Sequence, residues 1–143
     1  MKIFTSYFGR KAMLEKAGIV PICIALWKPK WYEGLQMIQV APKAFMLKED
    51  LTREQYIDCY KRYVTDRLRV EDVVKTIEFL SGGKDAALLC YEKPGDFCHR
   101  HLLSQWMTEQ SGLVVEEWEP TGVQPEPVKV EPKPKPVEEP TLF

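Results

Sequence analysis

Apolar positions change rhythm several times along the chain, and each change marks an element. IFTSYF (3–8) opens with strand-forming residues, and RKAMLEKAG (10–18) reads as a short helix closed by glycine. IVPICIAL (19–26) is an almost unbroken apolar run, the mark of a strand covered on both faces. Pro21 has no backbone donor, so it belongs at that strand's first turn or edge. WKPKWYEGLQ (27–36) then reads as loop and MIQVAP (37–42) as a short strand. Thr52 with Gln55 forms a capping box ahead of a helix whose Tyr56, Tyr60, Tyr63 and Val64 recur at helical spacing. A second helix starts at Val70 with Glu71 and Asp72 in its first turn. Its inner stripe is Val70, Val73, Val74, Ile77 and Leu80, and Ser81-Gly82-Gly83 ends it. AALLCY (86–91) is another buried strand and EKPGDF a tight loop. Asp96 caps a helix through Gln110, and LVVEEW (113–118) reads as a last, alternating strand.

Strands alternating with helices predict an α/β fold: a single compact domain with a largely parallel sheet flanked by helices. Ligands of such sheets collect at the carboxyl ends of strands, beside helix N-termini. The pattern stops at Pro120. Residues 1–119 form the expected domain, and 120–143 hold seven prolines and almost no large apolar residue. That segment predicts a disordered or polyproline-like tail, suited to a spacer or a protein-docking segment. About 120 residues suffice to bury a core without disulfides or metal.

Charge narrows the partners. The net charge is −1, and the body outside the tail carries seventeen charges of each sign. Neither nucleic acid nor an acidic membrane is therefore an expected partner. MKIFTSYFGRKAML lacks the apolar run of a secretory signal. The longest apolar stretch, Ile19 to Trp27, is nine residues with a proline inside, whereas a membrane span needs about twenty. These features predict a cytoplasmic protein in which Cys23, Cys59, Cys90 and Cys98 are reduced thiols.

Candidate chemistry gathers in LLCYEKPGDFCHRHLL (88–103), which holds two cysteines, two histidines and an arginine. On the helix, Leu102, Leu103, Trp106 and Met107 share one face, and His99 falls at its N-terminal end. Arg100 lies on one flank, Cys98 on the other, and His101 points away from the core. A thiolate at Cys98 would be favoured by helix-end N–H groups and by the neighbouring cations; packing of a small side chain is the competing role. His99 is either a core histidine bonded to a carbonyl or part of a Cys/His catalytic pair, with Cys90 the nearer thiol. Adjacent helix residues do not face each other, so a Cys98–His99 pair does not follow. Arg100 suits an anion, its head group reaching the pocket mouth at little cost to the fold. A phosphatase-type loop is excluded by the nine-residue gap from Cys90 to Arg100 and by acidic Glu92 and Asp96. A zinc site is disfavoured because the spacing is irregular and His101 faces away from His99. No metal and no cofactor is expected.

WKPKWYEG (27–34) is the second feature. Trp27, Lys28, Trp31 and Tyr32 could stack a base and meet a phosphate, or simply anchor a long loop. If its strand runs parallel to 86–91, the loop emerges on the edge that carries Cys98.

With these residues in view, the chain resembles the domain-of-unknown-function 488 family. The likeness rests on IFTSYF, on IVPICIAL followed by Lys28-Pro29-Lys30-Trp31 and Gly34, on Ala41-Pro42, and above all on LLCYEKPGDFCHRHLL. It spans about residues 2–118. It implies a small α/β domain with a motif site at Cys90, Glu92, Cys98, His99 and Arg100, and supplies no activity. Two functions are then expected to compete. One is a hydrolase or group transferase for a small anionic, nucleotide-like substrate, with Cys98 as nucleophile or polar wall and His99 or Glu92 as acid/base. Arg100 and the helix end hold the anion, beside Cys90, Trp27, Lys28, Trp31 and Tyr32. The other is a non-catalytic module that sequesters or senses a nucleotide-derived ligand.

Overall fold

Five strands, all parallel, form one sheet in the computed structural model, which describes residues 1–91 and 99–120. The elements are β1 (Ile3–Tyr7), α1 (Lys11–Lys16), β2 (Val20–Cys23), β3 (Leu35–Gln36), α2 (Ala44–Lys48), α3 (Arg53–Tyr63), α4 (Val70–Ser81), β4 (Ala86–Cys90), α5 (His99–Ser111) and β5 (Glu116–Glu117). The sheet order is β3-β2-β4-β1-β5. The α/β class and parallel sheet are as the pattern predicts, and the proline-rich tail beyond Pro120 lies outside the described residues.

Helices cover both faces. On one, Leu103 and Met107 of α5, Val70, Val73 and Ile77 of α4 and Tyr60 of α3 bury Ile22, Ala86 and Leu88. On the other, Leu14 of α1, Phe8, Tyr32 and Trp118 cover Cys23, Ala87 and Leu89. This two-sided cover is why β4 reads as an uninterrupted apolar run, and all five of its residues are buried. Pro21 pairs with Ala87, whereas β3 joins β2 only from Ile22 onward. The N–H groups of Val20 and Ile24 point to β4, so the missing donor of Pro21 faces the side that β3 has not yet reached.

Two local readings need correction. MIQVAP is not a strand: Ile38–Val40 forms a 3-10 turn, and the pairing residues are Leu35–Gln36 just before it. A two-residue strand has no periodicity to detect. Likewise, only Glu116–Glu117 of LVVEEW pairs, and α2 carries no sequence signal because five residues cannot display a helical stripe.

The capping box is present as expected. The Gln55 N–H donates to Thr52 Oγ1 at 3.1 Å, and the Thr52 N–H donates to Gln55 Oε1 at 2.9 Å. Thr52→Ala removes the first bond and should cost about 1 kcal/mol, measured by urea denaturation. Gly82 ends α4 with φ 66°, the left-handed conformation that glycine adopts without a Cβ penalty.

Candidate functional site

β1 and β4 adjoin at their carboxyl ends, where Tyr7 and Cys90 are register partners. The chain leaves β1 for the face that α1 covers, whereas α5, which follows β4, packs on the opposite face. Open parallel sheets form their ligand crevice at such a divergence.

α5 carries Arg100 to this junction. Its Nε and Nη2 donate to the two oxygens of Glu117 at 3.1 and 3.2 Å, a two-point carboxylate pair. Its Nη1 donates to the Cys90 sulfur at 3.2 Å and to the Tyr91 carbonyl at 3.4 Å. Glu117 is in reach because β5 runs beside β1 with Glu117 opposite Thr5, whose hydroxyl donates to the same carboxylate at 2.7 Å. Only 13% of the arginine side chain and 28% of the glutamate side chain are exposed. The expectation that the Arg100 head group lies open at a pocket mouth is thereby corrected. The flank of α5 abuts β5, and a guanidinium buried there needs a carboxylate.

His99 is buried, with Nε2 at 2.7 Å from the Ile24 carbonyl. A carbonyl only accepts, so the ring proton resides on Nε2. Burial, more than any other cause, lowers the pKa to about 4; the charges of Arg100 and His101 lower it further, and the Ile24 bond opposes them. At neutral pH His99 is therefore an uncharged ring that ties α5 to the segment after β2. His101, expected to point away from the core, is half-buried, and burial followed by the Arg100 charge lowers its pKa to about 4.

Among the described cysteines, Cys23 and Cys59 are free thiols. Cys98 and Glu92 lie outside the described residues.

Because β2 is parallel to β4, the aromatic loop leaves the sheet at the carboxyl edge where β4 ends at Cys90. Phe8 is its hub, with ring centres 6.1 Å from Trp31, 5.3 Å from Tyr32 and 5.2 Å from Tyr91. The Tyr91 hydroxyl donates to the Trp27 carbonyl at 2.7 Å, which fastens the loop to the end of β4. Tyr32 is a buried anchor: its hydroxyl donates to the Leu35 carbonyl at 2.7 Å, and burial pushes its pKa up to about 12. Trp27 and Trp31 are 52% and 61% exposed. Burial pushes up the pKa of the Cys23 thiol, and its backbone hydrogen bond with Ala25 and then the charge of exposed Lys28 draw it partly back.

Sequence reasoning missed Tyr7, Thr5, Glu117 and Arg10. The Arg10 Nη1 donates to the Trp118 carbonyl at 2.6 Å and Nη2 meets Glu119 at 3.4 Å. Its guanidinium carbon lies 5.0 Å from the centre of the Tyr7 ring, and that of Arg100 lies 5.8 Å from the same centre. Arg10 stands in a short helical stretch with no motif around it, so no sequence signal could have found it. A cavity of about 540 Å³, lined by Lys2, Phe4, Val74, Glu78, Val114 and neighbours, lies at the amino ends of β1 and β5, away from these groups.

No helix among the described residues is long and apolar enough to cross a membrane. No curated protein and no solved structure matches the chain. Residues 25–111, more than half of the sequence, match the family model DUF488-N3a, described as the active DUF488-N3 subclade. The matched span contains the aromatic loop, β4 and the start of α5 with Cys90, His99 and Arg100, and the chain belongs to the DUF488-N3a family.

Proposed function

We propose that this protein is an enzyme that hydrolyses, or transfers a group from, a small anionic, nucleotide-like substrate, with reduced Cys90 as its nucleophile. The observation that carries the reading is the Arg100 Nη1 held 3.2 Å from the Cys90 sulfur at the end of a buried strand. A guanidinium at that distance stabilises a thiolate. Glu117 fixes the direction of the guanidinium, so no reorganisation is needed when charge forms on sulfur. His99 donates its Nε2 proton to the Ile24 carbonyl, which leaves Nδ1 as the basic nitrogen of the ring. Trp27 and Trp31 offer faces for a base, and Lys28 offers a cation for its phosphate.

One further fact favours chemistry over simple binding: the matching family is described as an active subclade. The test is to incubate reduced protein with a panel of nucleosides and nucleotides and to follow products by proton and phosphorus NMR. Turnover of one member, abolished in Cys90→Ser, is the expected result. Saturable binding with no turnover would replace this reading with a sequestering or sensing module.

A further inference from the structure

Resting on that reading of the site, we infer that Arg10 is a second anion-binding cation and that a ligand phosphate displaces Glu119 from it. Arg10 and Arg100 stand around one ring, Tyr7, at the carboxyl end of β1. Both are paired with carboxylates of the segment that follows Val115, but the two pairs differ in kind. Arg100 holds Glu117 through two bonds in a setting mostly closed to water, and Thr5 braces the same carboxylate. Arg10 holds Glu119 through a single contact at 3.4 Å, and the Glu119 side chain is 74% exposed.

An exposed one-point pair is weak and exchanges readily with solvent. Arg10 itself stays in place without it. Its Nη1 is held by the Trp118 carbonyl, and its guanidinium packs 5.0 Å from the Tyr7 ring centre and 6.0 Å from that of Trp118. A ligand that recruits Arg10 therefore meets an ordered donor and loses little side-chain freedom. The planar fork suits phosphate. A phosphate dianion, with three acceptor oxygens, outcompetes the single negative charge of Glu119, whereas a ligand carboxylate would only exchange like for like. Glu119 is thus a built-in competitor for the phosphate position.

Calorimetric titration with inorganic phosphate, in chloride at fixed ionic strength and with folding monitored by circular dichroism, tests this. Arg10→Gln should weaken binding by about ten- to a hundredfold, the loss of charge-assisted hydrogen bonds. Glu119→Gln, an exposed change that leaves the fold intact, should strengthen it by about two- to fivefold. Unchanged affinity in Glu119→Gln overturns the inference, even where Arg10→Gln proves unstable. So does unchanged affinity in a folded Arg10→Gln, or no phosphate binding at all. If phosphate affinity follows Arg10 and Glu119 but no nucleotide is turned over, the catalytic reading fails and the cation site stands. If turnover depends on Cys90 while phosphate binding ignores both residues, the reverse holds.

Discussion

Arg100→Ala lowers the free energy of unfolding by about 3 kcal/mol, far more than an ordinary surface substitution. The reason is what the variant leaves behind. Among the described residues, the Glu117 carboxylate, 28% exposed, would keep the Thr5 hydroxyl as its side-chain donor, and the Cys90 sulfur and Tyr91 carbonyl would each lose an N–H of Arg100. Breaking a well-buried pair costs about 3–5 kcal/mol, and water reaching Glu117 keeps this one at the lower end. Arg100→Lys should recover less than half of the loss, because an ammonium cannot make the two parallel bonds of the fork. In an Arg100→Ala/Glu117→Ala double variant the loss should be smaller than the sum of the single losses, since no charge is then stranded. Urea denaturation of the wild type, the Arg100→Ala, Arg100→Lys and Glu117→Ala variants and the double variant measures all of this. A loss below about 0.5 kcal/mol for Arg100→Ala would show that the pair behaves as an exposed one. The head group would then be available to a ligand at no structural cost.

What could be read from the sequence follows from how local each signal is. The strands 3–7, 20–23 and 86–90 announce themselves because cover on both faces leaves only apolar or small residues. The start of α3 is legible because Thr52 and Gln55 answer each other within one turn. The orientation of His99 is legible because helical spacing sets it, and it does enter the core. The Arg100 environment is not legible in the same way. Its partner lies 17 residues on, in a two-residue strand whose position depends on β5 choosing the outer side of β1. No pattern in residues 113–118 encodes that choice. The Arg10 contacts depend on it too, across 108 positions to Trp118. Cys90, His99 and Arg100 are therefore readable from the motif, whereas the acidic segment that holds the arginines emerges only once the sheet order is known.

His99 makes the stability of the fold fall steeply on mild acidification. In the unfolded chain its ring takes up a proton near pH 6.5, whereas in the folded protein burial holds the pKa at about 4. Between those values the unfolded state binds more protons, so stability decreases as pH is lowered through this window and is fully retained above it. The difference amounts to about 3 kcal/mol once pH has dropped below the folded value. His101, lowered to about 4 by burial and by Arg100, acts in the same direction. Carboxylates also titrate at the acid end, so the measurement must isolate the histidine. His99→Gln does so, because its side-chain amide can place an N–H donor near the Ile24 carbonyl without carrying a titratable group. Melting curves of both proteins across pH 4 to 7 should converge on the acid side, with His99→Gln showing the flatter profile. Equal slopes would mean that the ring takes up its proton in the folded state near the same pH as in the unfolded chain. It would then be a cation beside Arg100 and could not donate and accept as a neutral ring does. The change at low pH would also reach the site, because His99 and Arg100 share the first turn of α5 and the Ile24 bond fixes where that turn sits.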